Sequence, residues 1–116
     1  MKRQLSEKSG RDGERRAALW LRAKGWRIVG ERVKTPRGEI DLVARRGRMV
    51  AFVEVKWRRS AAELDLAIDA YRLRRVAAAA EAIASRYVRS GDDQRIDVLL
   101  LAPGRLPRHI VNAWRG

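Results

Sequence analysis

Glu54 and Lys56 stand two residues apart in the run Met49 to Trp57, whose apolar and β-branched residues read as a strand. Side chains alternate across a pleated strand, so both leave one face, about 6 to 7 Å apart along the chain. Asp41 lies in the preceding strand-like run, Glu39 to Arg45, and the Arg46-Gly47 turn folds the two runs into a hairpin that brings Asp41 beside Glu54. Two neighbouring carboxylates repel and raise each other's proton affinity unless a cation lies between them. Hard oxygen donors of this kind suit Mg²⁺ or Mn²⁺. An adjacent ammonium can orient an attacking water or neutralise charge that builds on phosphorus, which is the chemistry of phosphodiester hydrolysis. Asp41, Glu54 and Lys56 are therefore the candidate catalytic residues, with Asp41 and Glu54 as candidate metal ligands.

Further residues join them by pattern. Glu14 falls one helical turn before Ala17 and Ala18, on the inward side of an N-terminal helix, and is a third candidate ligand, reaching the metal directly or through water. Arg72 shares a helical stripe with Val76 and Ala80, from which a guanidinium can reach past the core edge to a phosphate. Trp57, followed by Arg58 and Arg59, is a candidate nucleic-acid contact. Each has a plainer reading. A Glu-x-Lys on a strand is more often an ion pair, and Glu14 suits a helix dipole or a pairing with Arg11 or Arg15. Arg72 suits a solvated helix face, while Trp20, Trp26, Trp57 and Trp114 suit cores. The apolar run before Glu54, the placement of Asp41 and the hairpin jointly favour the metal site.

The elements that must carry these residues follow from periodicity. A first helix runs from Ser6 to Lys24 and stops at Gly25; a first strand spans Trp26 to Val33, with Gly30 able to interrupt it. Thr35-Pro36-Arg37-Gly38 is turn chemistry. In the second strand Ile40, Leu42 and Ala44 alternate against Glu39, Asp41 and Arg45. Met49 to Trp57 is apolar on both faces at its start, as a strand in the middle of a covered sheet should be. A long helix from Ala61 to about Val88 presents Leu73, Val76, Ala77, Ala80, Ile83, Ala84 and Tyr87 along one stripe. Arg95 to Leu101 is a buried strand, and His109 to Trp114 reads as a last short one, with His109 a structural or exposed strand residue. This order predicts an α/β protein with a mixed sheet of about five strands flanked by helices.

Composition limits the partners. A chain of 116 residues makes a single domain, 1–116, the expectation. Its 27 lysines and arginines against 14 acids give a formal charge of +13, yet 46% of residues are apolar, which predicts a folded body with a surface that attracts polyanions. Lys2, Arg3, Lys8, Arg11, Arg58 and Arg59 are among the groups able to bind phosphates collectively. Without cysteine, and with His109 as its one histidine, the chain has no thiolate zinc site, cysteine nucleophile or histidine-centred triad to offer. No apolar run approaches the roughly 20 residues of a membrane span, and the charged N-terminus lacks the apolar core of a secretory signal, so a cytoplasmic protein is expected. Nucleic acid fits the scattered charge better than anionic lipid does.

Gly38-Glu39-Ile40-Asp41-Leu42, followed by Phe52-Val53-Glu54-Val55-Lys56-Trp57-Arg58, resembles the signature of the YraN-like family, also called UPF0102, within the restriction-endonuclease-like superfamily. The resemblance extends over nearly the whole chain, through Gly13-Glu14, the arginine-rich second helix, Asp97-Val98 and the closing segment. It implies a nuclease core shared with archaeal Holliday-junction resolvases. Asp41, Glu54 and Lys56 would then be the catalytic trio, Glu14 the helical carboxylate, Mg²⁺ or Mn²⁺ the cofactor, and DNA, branched or flapped, the substrate. Resolvases of that fold act as dimers, so a homodimer is an arrangement the resemblance allows. Two positions depart from the pattern: Arg72 stands where a lysine is usual and Glu31 where an asparagine is frequent. Arginine preserves a phosphate clamp but not a proton donor. The alternatives are a nucleic-acid-binding subunit of the same fold with little turnover, and an RNA-chaperone or ribosomal protein whose binding ignores the trio.

Overall fold

A computed structural model describes residues 2–59 and 70–114. The first helix, α1 (Lys2–Ala23), ends where the chain takes a left-handed φ of 90° at Gly25. There the Gly25 amide donates to the Arg22 carbonyl and the Trp26 amide to the Leu21 carbonyl, both at 3.0 Å. This is the paired closure of a glycine-capped helix, and the buried Leu21 and Trp26 pack in one cluster to seal it. Strands β1 (Arg27–Thr35), β2 (Gly38–Arg46) and β3 (Met49–Trp57) follow as an antiparallel meander. The hairpin closes on Arg46 opposite Met49, with Gly47 in a left-handed φ of 62°.

After residues 60–69, which lie outside the described part together with the first third of the expected long helix, α2 (Ala70–Tyr87) carries the chain over the sheet. It delivers β4 (Asp93–Leu101) parallel to β3, and β5 (Arg108–Ile110) adds antiparallel to β4. The sheet order is β1-β2-β3-β4-β5, a five-stranded mixed sheet with one helix on each face. That is the expected α/β arrangement, and β3 is its middle strand. Val50 and Phe52 face α2 with Leu73, Val76, Ala80 and Ile83, while Ala51 and Val53 face α1 with Ala17, Ala18 and Leu21.

Two expectations need correction. Ile40 and Leu42 do not share a face: Ile40 packs in the cluster under α2 and Leu42 in the cluster under α1. The strand turns over at Asp41, because neighbouring β1 is irregular. Its register shifts between Ile28 and Gly30, and Arg32, opposite Asp41 between the Glu31–Leu42 and Val33–Ile40 pairs, has a φ of 49°. A left-handed non-glycine residue rotates the local backbone out of the pleat. Nor is the stretch from His109 to Trp114 a strand throughout; it pairs only as far as Ile110 and then turns at Asn112, whose φ is 54°. A fully buried carboxylate, Asp97, holds that turn: it accepts the Asn112 amide at 2.9 Å and Arg95 Nε at 3.0 Å, and lies 2.7 Å from His109 Nε2. A buried charge needs such partners, and His109 is accounted for as one of them. Among the described residues, no helix is long and apolar enough to cross a membrane.

At Gly30 the sheet and the end of α2 come together. A Cβ there would lie 2.8 Å from the Tyr87 hydroxyl and 3.0 Å from Val33 Cγ2. Gly30→Ala should therefore destabilise the fold by about 1–3 kcal/mol in urea unfolding, and adding Tyr87→Phe should recover part of the loss. An unchanged unfolding midpoint would show that this packing is loose.

Candidate functional site

The β2–β3 ladder is paired down to Leu42 and Val53, and beyond that pair the Asp41 side chain takes up the contact: its Oδ2 accepts the Val55 amide at 2.8 Å. This bond ties the carboxylate to the backbone between Glu54 and Lys56. Glu54 Oε1 lies 2.8 Å from Lys56 Nζ, both side chains being largely covered, at 14% and 7% exposure. Asp41, Glu54, Glu39 and Gly38 line one cavity of about 230 Å³, and Arg37, Arg72, Arg75 and Val76 complete its wall. Asp41 and Glu54 thus open onto the same space, with Arg72 opposite them on α2. Lys56 stands behind, joined to the cavity through Glu54.

The electrostatics follow from this crowding. Burial, reinforced by the Glu54 charge and by Glu14, pushes the Asp41 carboxyl from its ordinary 3.8 up to about 7, against the Val55 amide and Lys56, which favour the charged form. A carboxyl so placed takes a proton or a cation. Oxygen atoms of Glu14, Glu39 and Asp41 lie within 4.8 Å of one another, close enough to share one ion. All three are hard oxygen donors, which fits Mg²⁺ or Mn²⁺ and not a soft, thiolate-seeking ion.

Glu14 comes to Asp41 from α1, Glu39 joins them, and Glu54 is turned to Lys56 while lining the same cavity as Asp41. Glu39 is not among the residues the sequence pattern singles out, although it stands two residues before Asp41. Glu14 has a partner beyond its own helix. Its Oε2 accepts Arg32 Nε at 2.5 Å, an arginine from the irregular stretch of β1. That hydrogen bond, together with the charges of Glu14, Glu39 and Asp41, holds the Arg32 guanidinium above its ordinary proton affinity. Arg32 also faces a groove of about 270 Å³ between α1 and β1, shared with Arg11, Glu14, Arg15, Arg22 and Glu31.

The residues after Lys56 have local partners. Trp57 is half-buried against the α1 cluster, with the Arg16 guanidinium 5.2 Å from its ring centroid. Arg58 donates from its amide to the Leu101 carbonyl at 3.0 Å and from Nη1 to the Trp57 carbonyl at 2.7 Å, and Arg59 is exposed. The side chains of Lys2, Arg3 and Lys8 lie outside the described part.

Comparison with known proteins places the whole arrangement in one family. Over 115 residues the chain is 76% identical to a UPF0102 protein of Erythrobacter litoralis, 99% of each chain being covered. A UPF0102 protein of Sphingopyxis alaskensis is 68% identical, with the same coverage, and one of Rhizorhabdus wittichii is 62% identical over 99% of this chain and 98% of its own. The family model described as "Uncharacterised protein family UPF0102" matches residues 13–101, a span that holds Glu14, Glu39, Asp41, Glu54, Lys56 and Arg72. By the family model and by these relatives alike, the chain belongs to the UPF0102 family.

Proposed function

We propose that the protein is a metal-dependent endonuclease that hydrolyses phosphodiester bonds in DNA, with branched or flapped DNA as its preferred form. The observation that carries this reading is the convergence of Asp41 and Glu54 on one cavity, backed by Lys56 and faced by Arg37, Arg72 and Arg75. A purely phosphate-binding surface would gain nothing from carboxylates where a phosphate must approach. Mg²⁺ or Mn²⁺ at the carboxylates would stabilise charge on the phosphate oxygens. The protein's own groups do the rest. Arg72 and Arg75 hold the phosphate, the Val55 amide keeps Asp41 in position, and Lys56, anchored by Glu54, orients the attacking water and offsets charge on phosphorus. The net charge of +13 draws the polyanion to this acidic spot.

The decisive assay incubates the purified protein with linear, flapped, single-stranded and four-way DNA in Mg²⁺, Mn²⁺ or EDTA. Cleavage should require the ion and fall by about 10²-fold or more in Lys56→Ala and Asp41→Asn. Arg72→Ala and Glu14→Gln should each lower it while the protein stays folded. Cleavage that survives both EDTA and Lys56→Ala would defeat the enzyme reading, and ion-independent binding without cleavage would favour a binding subunit.

A pH dependence follows as well. Between about pH 4 and 7 the folded chain keeps the Asp41 proton that the unfolded chain has released. Stability in EDTA should therefore fall as pH rises through that window and level off above it. Thermal melts should show this decline in the wild type and a flatter profile in Asp41→Asn. The stabilisation given by added Mn²⁺ should grow over the same range, because the ion takes the place of the proton.

A further inference from the structure

The Arg32 guanidinium does part of what a divalent ion would do at the carboxylates. It is a cation bound to Glu14 through Nε and set in the field of Glu14, Glu39 and Asp41. Its side chain is 43% exposed, so leaving that place costs little desolvation and one surface ion pair. Beside it, Arg11, Arg15 and Arg22 line the α1–β1 groove, with Glu31 as the acid there besides Glu14. On α1 these arginines are spaced four and seven apart, with Ala18 between them, so they form one stripe along the helix. A guanidinium that leaves Glu14 moves toward three arginines of like charge, a move that an anion in the groove favours.

We propose that Arg32 is an exchangeable cation that couples the two ligands of this site: a divalent ion displaces it from Glu14, and the released guanidinium binds a phosphate of the nucleic acid lying along the α1 stripe. This rests on the metal-dependent reading of the site and adds its regulation. Without nucleic acid, Arg32 caps the carboxylates and holds back ion binding. With nucleic acid in the groove, the phosphate draws Arg32 away and the carboxylates are opened. By linkage each ligand strengthens the other by the same factor. Arg32, whose φ is 49°, lines the same groove as Glu14 and the three arginines, so its guanidinium has an anionic and a cationic neighbourhood within one cleft.

The test compares wild type with Arg32→Asn, chosen because asparagine accepts a left-handed φ, and with Glu14→Gln. Mn²⁺ binding is measured by calorimetry, and binding of a short fluorescein-labelled DNA duplex by anisotropy in EDTA and in Ca²⁺. Arg32→Asn should bind Mn²⁺ roughly fivefold tighter than wild type in the absence of DNA, and should lose a similar factor from the gain in duplex affinity that Ca²⁺ gives the wild type. Glu14→Gln, which releases Arg32 without an ion, should bind the duplex more tightly in EDTA. Unchanged or weaker Mn²⁺ binding by Arg32→Asn, alongside Mn²⁺ binding by wild type that Asp41→Asn abolishes, would overturn the exchange and leave the metal site standing. Failure of every form to bind Mn²⁺ would remove the metal site and the exchange together. Should Arg32→Asn not fold, unchanged duplex affinity of Glu14→Gln in EDTA would overturn the exchange by itself.

Discussion

The hydrogen bond from the Val55 amide to Asp41 is the constraint on which the site depends. It forms where β2 and β3 cease to pair, so a side-chain oxygen continues the contact beyond the last backbone partners. The arrangement fixes a carboxylate at the mouth of a cavity without extending the sheet across it. The same bond settles where Glu54 and Lys56 point, because they flank Val55 on a strand held on its other side by the nine-residue parallel register with β4. Were β2 to stay in register for two more residues, the gap that admits Glu14 and faces α2 would close.

Charge is arranged in opposite senses at two scales. The chain as a whole is strongly basic, yet Glu14, Glu39, Asp41 and Glu54 gather at one end of the β2–β3 ladder. The local cations do not cancel them evenly. Lys56 is committed to Glu54 and Arg32 to Glu14, while burial first, and then the Glu54 charge, raises the proton affinity of Asp41. On the proposed reading, a site acidic at its centre and basic at its rim would attract a phosphate chain from a distance but repel it at the last step. A small divalent ion would remove that contradiction, since it would neutralise the carboxylates and offer the phosphate a positive face.

Much of this could be read from sequence because it rests on local rules. The Gly25 stop, the Gly47 hairpin and the two apolar faces of β3 each follow from a residue type at a fixed period, and the structure has all three. The family signature around Asp41, Glu54 and Lys56 likewise lies on two adjacent strands. What could not be read depends on distant contacts or on departures from regular geometry. The partner of Glu14 is Arg32, eighteen residues away and on another element. The opposite facing of Ile40 and Leu42 arises from a left-handed residue in the neighbouring strand, which a period of two cannot anticipate. The turn at Asn112 is imposed by Asp97, whose burial is a property of the assembled sheet.

The residues around the cavity also restrict how a proton could move there. Arg37, Arg72 and Arg75 line the cavity with guanidinium groups, which suit the holding of a phosphate and not the handing of a proton to a leaving oxygen. The lone histidine is taken up by Asp97 and packs edge-on to Trp20, on the α1 side of β4, and does not line the cavity. Lys56 is already bound to Glu54. Asp41, whose proton affinity burial and the Glu54 charge bring near neutrality, lines the cavity, and an ion held there would take that proton away. On the proposed reading, protonation of a leaving oxygen would fall to solvent, and the protein would contribute positioning and the balance of charge.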